Sequence, residues 1–301
     1  MSEIITVQGL SKRFTIRKRG SGFLGAVKGL FYAEKSELRA VDDISFSIKQ
    51  GELVGYLGPN GAGKSTTIKM LTGILRPSGG RIKVADLEDP QANRKKLAYR
   101  MGVVFGQKTQ LWWDLPVSES FDLLKSIYRI PDRDYKERME FFSDLLGLRD
   151  FLFQQTRKLS LGQRMRADLA ASLLHRPPVL FLDEPTIGLD ILTREAIRKF
   201  IKDLNRTEKT TILLTTHDMQ DVEFLANRLI LIDHGKIHYD GSLQEFTSRM
   251  SPDKVVTLHL ESPVEVDQLL TSGFSLKAAH SPLHYEFIAP VDARIGPLID
   301  S

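Results

Sequence analysis

Cysteine is absent from the 301 residues of the chain. That excludes a disulfide framework and any thiolate metal site, and it permits a reducing compartment such as the cytosol. Long apolar runs are missing as well. No stretch approaches the roughly 18 apolar residues a membrane helix needs, so the chain is not expected to cross a membrane by itself. The opening MSEIITVQGL has no basic flank followed by an apolar stretch, so no secretory signal is expected. Tryptophan is scarce, and the two present, Trp112 and Trp113, are adjacent. Nor is there a strong excess of one charge, the net value being +4. What is present, 42% hydrophobic and 27% charged residues, is enough for a sizeable core in one large domain with something smaller attached.

The most informative segment is GELVGYLGPNGAGKSTTIKMLTGIL. An apolar run from Leu53 to Leu57 turns through Gly58, Gly61 and Gly63 into a stretch with Ile68, Leu71 and Leu75 at helical spacing, which predicts strand, glycine loop and helix. The match to G-x-x-x-x-G-K-[ST] is complete from Gly58 through Pro59, Asn60, Ala62 and Lys64 to Ser65, with Thr66 following. Glycines let successive backbone N–H groups face phosphate oxygens, and the helix N-terminus adds roughly half a positive charge. Lys64 is then expected to reach the β- and γ-phosphates of a nucleotide, and the Ser65 hydroxyl to ligate Mg²⁺. Such a loop touches phosphates only and leaves the base undefined.

Downstream, RPPVLFLDEPTIGLD ends the apolar run Val179–Leu182 with Asp183, Glu184 and Pro185. A continuous apolar run suits a strand buried on both faces of a parallel sheet, whose C-terminal end is where open α/β sheets bind ligands. Successive side chains on an extended chain point to opposite sides, so two roles are expected: Asp183 toward Mg²⁺ and Glu184 toward the attacking water as general base. A second strand, Thr210–Thr216, runs into His217, placed to contact a γ-phosphate and orient the water.

The stretch KLSLGQR, Lys158 to Arg164, carries Ser160 and Gln163 in the S-x-x-Q spacing of a helix capping box. A plain cap and one half of a nucleotide site completed by another molecule are both compatible with it. A glycine inside the first turn, Gly162, costs about 1 kcal/mol relative to alanine, and close approach of a phosphate to the backbone is one reason to bear it.

With GPNGAGKST, LSLGQ, VLFLDEP, the GLD of Gly188–Asp190 and TTHD in that order, residues 3 to 240 resemble the ATP-binding subunit of ABC transporters. The resemblance implies an α/β fold: a P-loop NTPase core with a parallel sheet, an antiparallel β-subdomain and a helical subdomain at about 108–160. It further implies a head-to-tail dimer in which two ATP molecules, each with Mg²⁺, lie between the phosphate loop of one copy and the LSLGQ of the other. Ser160, Gly162 and Gln163 would serve the partner's nucleotide, and Asp190 is expected to bind nucleotide as well. By the same resemblance Gln107 links the metal to a transmembrane permease subunit on a separate chain, Gln110 being a second candidate, and Phe14 stacks on adenine. The subunit would sit peripherally on the cytoplasmic face of the cell membrane. GQKTQLWWDLP and LSLGQRMRADLA look most like the efflux-type branch, which exports drugs, lipids or polysaccharides. One departure stands out: Leu161 occupies a position where the family's usual signature has glycine. An ATPase acting on nucleic acid is the alternative, supported only by the basic segment described next.

Residues of about 15–39 interrupt the first two strands, expected around Ile4–Gly9 and Ala40–Lys49, with Arg17, Lys18, Arg19, Lys28, Lys35 and Arg39 against Glu34 and Glu37. Phe23, Leu24, Val27, Leu30 and Phe31 fall at helical spacing, so an amphipathic basic helix is expected there, suited to a membrane surface or to packing on the β-subdomain. Val117–Tyr128 and Tyr135–Leu146 read as helices. Paired tryptophans beside Gln107 suit an interface or the core. Beyond about residue 240, VVTLHL and HYEFIAP alternate like strands around VEVDQLL, predicting a small α+β appendage over 241–301.

Overall fold

The computed structural model describes residues 2–18, 34–106, 108–250, 253–259 and 275–290. The chain forms two compact units, Met1–Gly241 and Ser242–Ser301.

In the first unit the three apolar runs of the sequence become central strands. β3 (Leu53–Leu57), β7 (Val179–Asp183) and β8 (Thr211–Thr216) are buried along their whole length. With β6 (Met101–Phe105), β9 (Arg228–Asp233) and β10 (Lys236–Ser242) they form a six-stranded sheet in the order β10-β9-β3-β8-β7-β6, in which β9, β3, β8, β7 and β6 run parallel. Register aligns their C-terminal ends: Leu57 pairs with Thr216, Asp183 with Thr215, and Phe105 with Asp183. The loops after β3, β6, β7 and β8 therefore leave from one edge, and those loops hold the chemistry-bearing motifs.

A second, antiparallel sheet is built from β1 (Glu3–Lys18), β2 (Glu34–Lys49), β4 (Gly79–Val84) and β5 (Leu87–Glu88), in the order β2-β1-β4-β5. The expectation for the basic segment is partly corrected here. Thr15–Lys18 and Glu34–Arg39 are strand, pairing from Thr15 with Glu37 out to Lys18 with Glu34, so the hairpin is much longer than the two short strands expected. Backbone pairing with the facing strand, rather than residue type, carries the ladder through TIRK and EKSELR. The expected amphipathic helix, with Phe23, Leu24, Val27, Leu30 and Phe31, falls outside the described residues. One continuous core joins Ile5, Ile44, Ile48 and Val84 of this sheet to Val54, Tyr56, Phe181 and Leu213 of the other, together with Ile68 and Leu71 of α1 (Lys64–Leu71).

α2 (Arg94–Ala98) precedes β6. α3 (Val117–Tyr128) and α4 (Asp132–Leu146) follow it and bury Phe121, Leu124, Phe142 and Leu146, the stripe that their helical spacing predicts. Arg138 of α4 is buried; its guanidinium bonds Glu208 and the Leu173 carbonyl and lies over the Phe142 ring. This ties α4 to the C-terminal ends of α5 (Leu161–Leu173) and α6 (Ile191–Glu208). α7 (Met219–Leu225) follows β8.

The second unit consists of α8 (Leu243–Met250) and an antiparallel sheet in the order β11 (Asp253–His259), β13 (His284–Pro290), β12 (Ser275–Ser281). VEVDQLL lies outside the described residues.

Candidate functional site

The loop Gly58–Gly63 wraps tightly because its glycines leave no alternative. A Cβ on Gly58 would strike the Ile232 carbonyl, and Gly63, at φ +109°, would strike the Ala40 carbonyl. No side chain caps the start of α1, and its first turn carries no acidic residue, so the positive end of the helix is left for a ligand. Lys64 is 4% exposed, and its ammonium donates to the carbonyl oxygens of Gly58 (2.7 Å) and Pro59 (3.0 Å). A buried cation satisfied mostly by two neutral carbonyls of its own loop suits a polyphosphate ligand.

Asp183, at the end of β7, is buried, and its Oδ1 accepts from the Ser65 hydroxyl (2.9 Å) and from the Thr215 hydroxyl (2.7 Å). A hydroxyl and a carboxylate in direct contact beside the phosphate loop form an oxygen donor set of the kind that magnesium takes. Glu184 follows at φ +54°, a left-handed conformation costly for a residue with a Cβ, and its amide bonds Thr215. That turn aims its carboxylate between two partners: Oε1 lies 3.3 Å from the Lys64 ammonium and Oε2 lies 3.4 Å from Nδ1 of His217. Thus Lys64, Ser65, Asp183, Glu184 and His217 converge. Ser65, Lys69, Phe105, Gly106, Asp183 and Glu184 line a cleft of about 370 Å³. A larger cleft of about 550 Å³ lies along β1 and β4 among Arg76, Arg81, Lys83 and Glu88, but it holds none of these groups, and chemistry rather than volume identifies the site.

A separate cluster forms around LSLGQ. Ser160 caps α5 as the spacing predicts: its hydroxyl accepts from the Gln163 amide (3.1 Å), and Gln163 Oε1 accepts from the Ser160 amide (2.9 Å). Asp190 caps α6, accepting from the Thr193 amide (2.9 Å) and hydroxyl (2.7 Å), which hold its carboxyl below the usual range. Gly162 faces that same Thr193, and a Cβ there would lie 2.8 Å from the threonine Cγ2. Packing of two helix starts against each other is a reason for the glycine within the chain itself. Leu161, 40% exposed, lies over Gly188. The hydrogen bonds of the cap stay within α5, and none joins it to the glycine loop of the same molecule among the described residues.

Gln107 lies outside the described residues. Gln110 is placed away from the metal-side carboxylates: its amide donates to Asp168 Oδ1 (3.0 Å) and its Nε2 to the Asp168 carbonyl (2.9 Å), a strap onto α5. Phe14 is half-exposed on β1 with the Lys12 ammonium 5.1 Å from its ring centre. Trp112 and Trp113 are 40% and 49% exposed, so neither is core. Sequence reasoning passed over Thr215, Asp168 and the arginines Arg194 and Arg198; only the i, i+4 spacing of the last two signalled a shared face.

The family model for "ABC transporter" matches residues 41–187. The chain is 36% identical to the ABC transporter ATP-binding protein NatA of Bacillus subtilis over 224 residues, covering 74% of this chain and 90% of the relative. The chain belongs to the ATP-binding subunits of ABC transporters. Linearmycin resistance ATP-binding protein LnrL of Bacillus subtilis is 32% identical, with 82% of each chain covered. Energy-coupling factor transporter ATP-binding protein EcfA2 of Clostridioides difficile is 33% identical, with 83% of this chain and 87% of the relative covered. Among solved structures, a dimeric ATP-binding cassette in a post-hydrolysis state with ADP and Pi superposes at a TM-score of 0.66 and 25% identity, over 79% of this chain and 98% of that one. The chain is thus an ABC ATPase that binds ATP, of a kind whose subunits act with transmembrane partners and dimerise.

Proposed function

We propose that this ABC subunit is the motor of an exporter. Two copies meet head to tail around two ATP molecules, beneath a separate permease at the cytoplasmic face of the membrane. The observation that carries the catalytic part is the convergence of Lys64, Ser65, Asp183, Glu184 and His217 at one sheet edge. Lys64 and the backbone of Gly58–Thr66 hold the phosphates, while Ser65 and Asp183, with Gln107 as a further ligand, hold Mg²⁺. When bound, Mg²⁺ withdraws charge from the phosphate oxygens. Glu184 takes a proton from the attacking water as the water oxygen bonds to the γ-phosphorus; the bond to the bridging oxygen breaks, releasing ADP and phosphate. His217, 3.4 Å from Glu184, aligns that water and contacts the γ-phosphate. Phe14 stacks on the adenine.

Ser160, Gly162 and Gln163 act on the partner's nucleotide: their helix start is ordered by the cap yet, among the described residues, makes no hydrogen bond to its own phosphate loop. Asp190 braces that helix start through Thr193. Export is supported by the likeness of GQKTQLWWDLP and LSLGQRMRADLA to the efflux-type branch. The half-exposed Trp112 and Trp113 are the surface proposed to meet the permease.

Purified protein is expected to turn over Mg-ATP, with Lys64→Ala losing nucleotide affinity. Glu184→Gln is expected to keep ATP binding while hydrolysis falls by about 10²-fold or more. Wild-type turnover in Glu184→Gln would remove its assignment as the base.

A further inference from the structure

Glu184 and His217 themselves line a cavity of about 110 Å³ together with Thr186, Thr216, Arg194, Asp218 and Asp221. Among its lining residues Asp221 of α7 is completely buried. One carboxylate oxygen accepts from the Thr186 hydroxyl (2.6 Å) and the Thr216 hydroxyl (3.0 Å). The other accepts from Nε of Arg198 (2.6 Å), with a second guanidinium nitrogen 2.5 Å away. Thr186 stands two residues after Glu184, and Thr216 immediately precedes His217. One carboxylate thus grips both loops whose side chains meet at 3.4 Å. Arg194, one turn before Arg198 on α6, pairs with Asp218 on the other side of His217 at 3.1 Å.

Two physical points favour a positioning role over a stabilising one. A buried ion pair pays a desolvation cost that its attraction seldom exceeds, so packed apolar residues would stabilise the spot at least as well. Glu184 also sits in left-handed backbone, a strained state that persists only where surrounding bonds over-determine it, and the Thr186–Asp221 bond anchors the turn on its C-terminal side. We propose that Asp221, held by Arg198, is a positioning residue that fixes the separation of Glu184 and His217 during ATP hydrolysis. The proposal rests on the catalytic reading of that pair.

The test replaces the two hydroxyls with near-isosteric methyls: Thr186→Val, which removes only the bond to Asp221, Thr216→Val, which also removes the acceptor of the Asp218 amide, and the double variant, assayed for kcat, KM for Mg-ATP, nucleotide Kd and thermal midpoint. Misplacement on the scale of 1 Å costs about 100-fold, so the double variant is expected to lose about that factor in kcat, with KM and Kd within about twofold of wild type. Arg198→Lys, which keeps the charge but not the fork, is expected to fall between wild type and the double variant. Added to Glu184→Gln, the same threonine changes are expected to lower residual turnover little further, because the group they position is already gone. An unchanged kcat overturns the proposal. So does a joint fall of kcat and ATP affinity with the thermal midpoint, or an equal proportional loss in the Glu184→Gln background. Full activity of both Glu184→Gln and His217→Ala would instead withdraw the catalytic reading beneath it.

Discussion

Buried Asp168 and partly buried His175 are two ionisable groups whose titrations oppose each other. Burial pushes the Asp168 carboxyl up to about 7, against the hydrogen bonds from Thr109 and Gln110 and the nearby Arg164 charge that favour its ionised form. Burial pushes the His175 imidazole down to about 4, with its ring stacked 4.0 Å from that of Tyr128. For Asp168 the folded state holds its proton where the unfolded chain, at 3.8, has released it, so its contribution to stability falls as pH rises from about 4 to about 7. For His175 the unfolded chain takes a proton near 6.5 and the folded state refuses it, so stability falls as pH drops from 6.5 toward about 4. The effects are on the order of 4 kcal/mol for Asp168 and about 3 kcal/mol for His175, and in the wild type they largely offset across that window. Asp168→Asn should therefore make the protein distinctly less stable at pH 4.5 than at 7.5, and His175→Gln the reverse. Urea midpoints at the two values check both signs.

At the scale of elements, the contact between the starts of α5 and α6 makes LSLGQ and the Gly188–Asp190 loop one block. Gly162→Ala would drive a methyl into Thr193, an overpacking expected to cost about 1–3 kcal/mol in urea denaturation without nucleotide. Ser160→Ala removes one cap and should cost about 1 kcal/mol. Adding Thr193→Ser, which deletes the opposing Cγ2, should recover much of the stability lost in Gly162→Ala and none of that lost in Ser160→Ala. The cap, the central strands, α3 and the end of α4 were legible because each is written locally, in a spacing or an apolar run. The reason for Gly162 was not, since Thr193 reaches it only through tertiary packing. The role of Gln110 was equally hidden: nothing in its neighbourhood in sequence points to Asp168, 58 residues away. The long hairpin was missed because cross-strand pairing, rather than residue type, keeps Thr15–Lys18 and Glu34–Arg39 extended.

Across the whole molecule, the residues proposed to act on the phosphates fall chiefly into two groups that, among the described residues, do not meet by hydrogen bonds within one chain. Lys64, Ser65, Asp183, Glu184 and His217 form one; Ser160, Gly162, Gln163 and Asp190 form the other. Ile191 and Leu192, beside Asp190, are 75% and 78% exposed, apolar surface of the kind a second copy would cover. The family likeness to a dimeric cassette agrees with such pairing. The central claim is that a working site takes its phosphate loop from one copy and its LSLGQ from another, and complementation tests it most directly. Lys64→Ala spoils the phosphate loop and Ser160→Arg spoils the signature, so each variant alone is expected to be inactive. A mixed dimer would contain one site with both halves intact, and mixing the two purified variants should restore ATP turnover. A mixture as inactive as its components, or full activity in Ser160→Arg alone, would contradict the account.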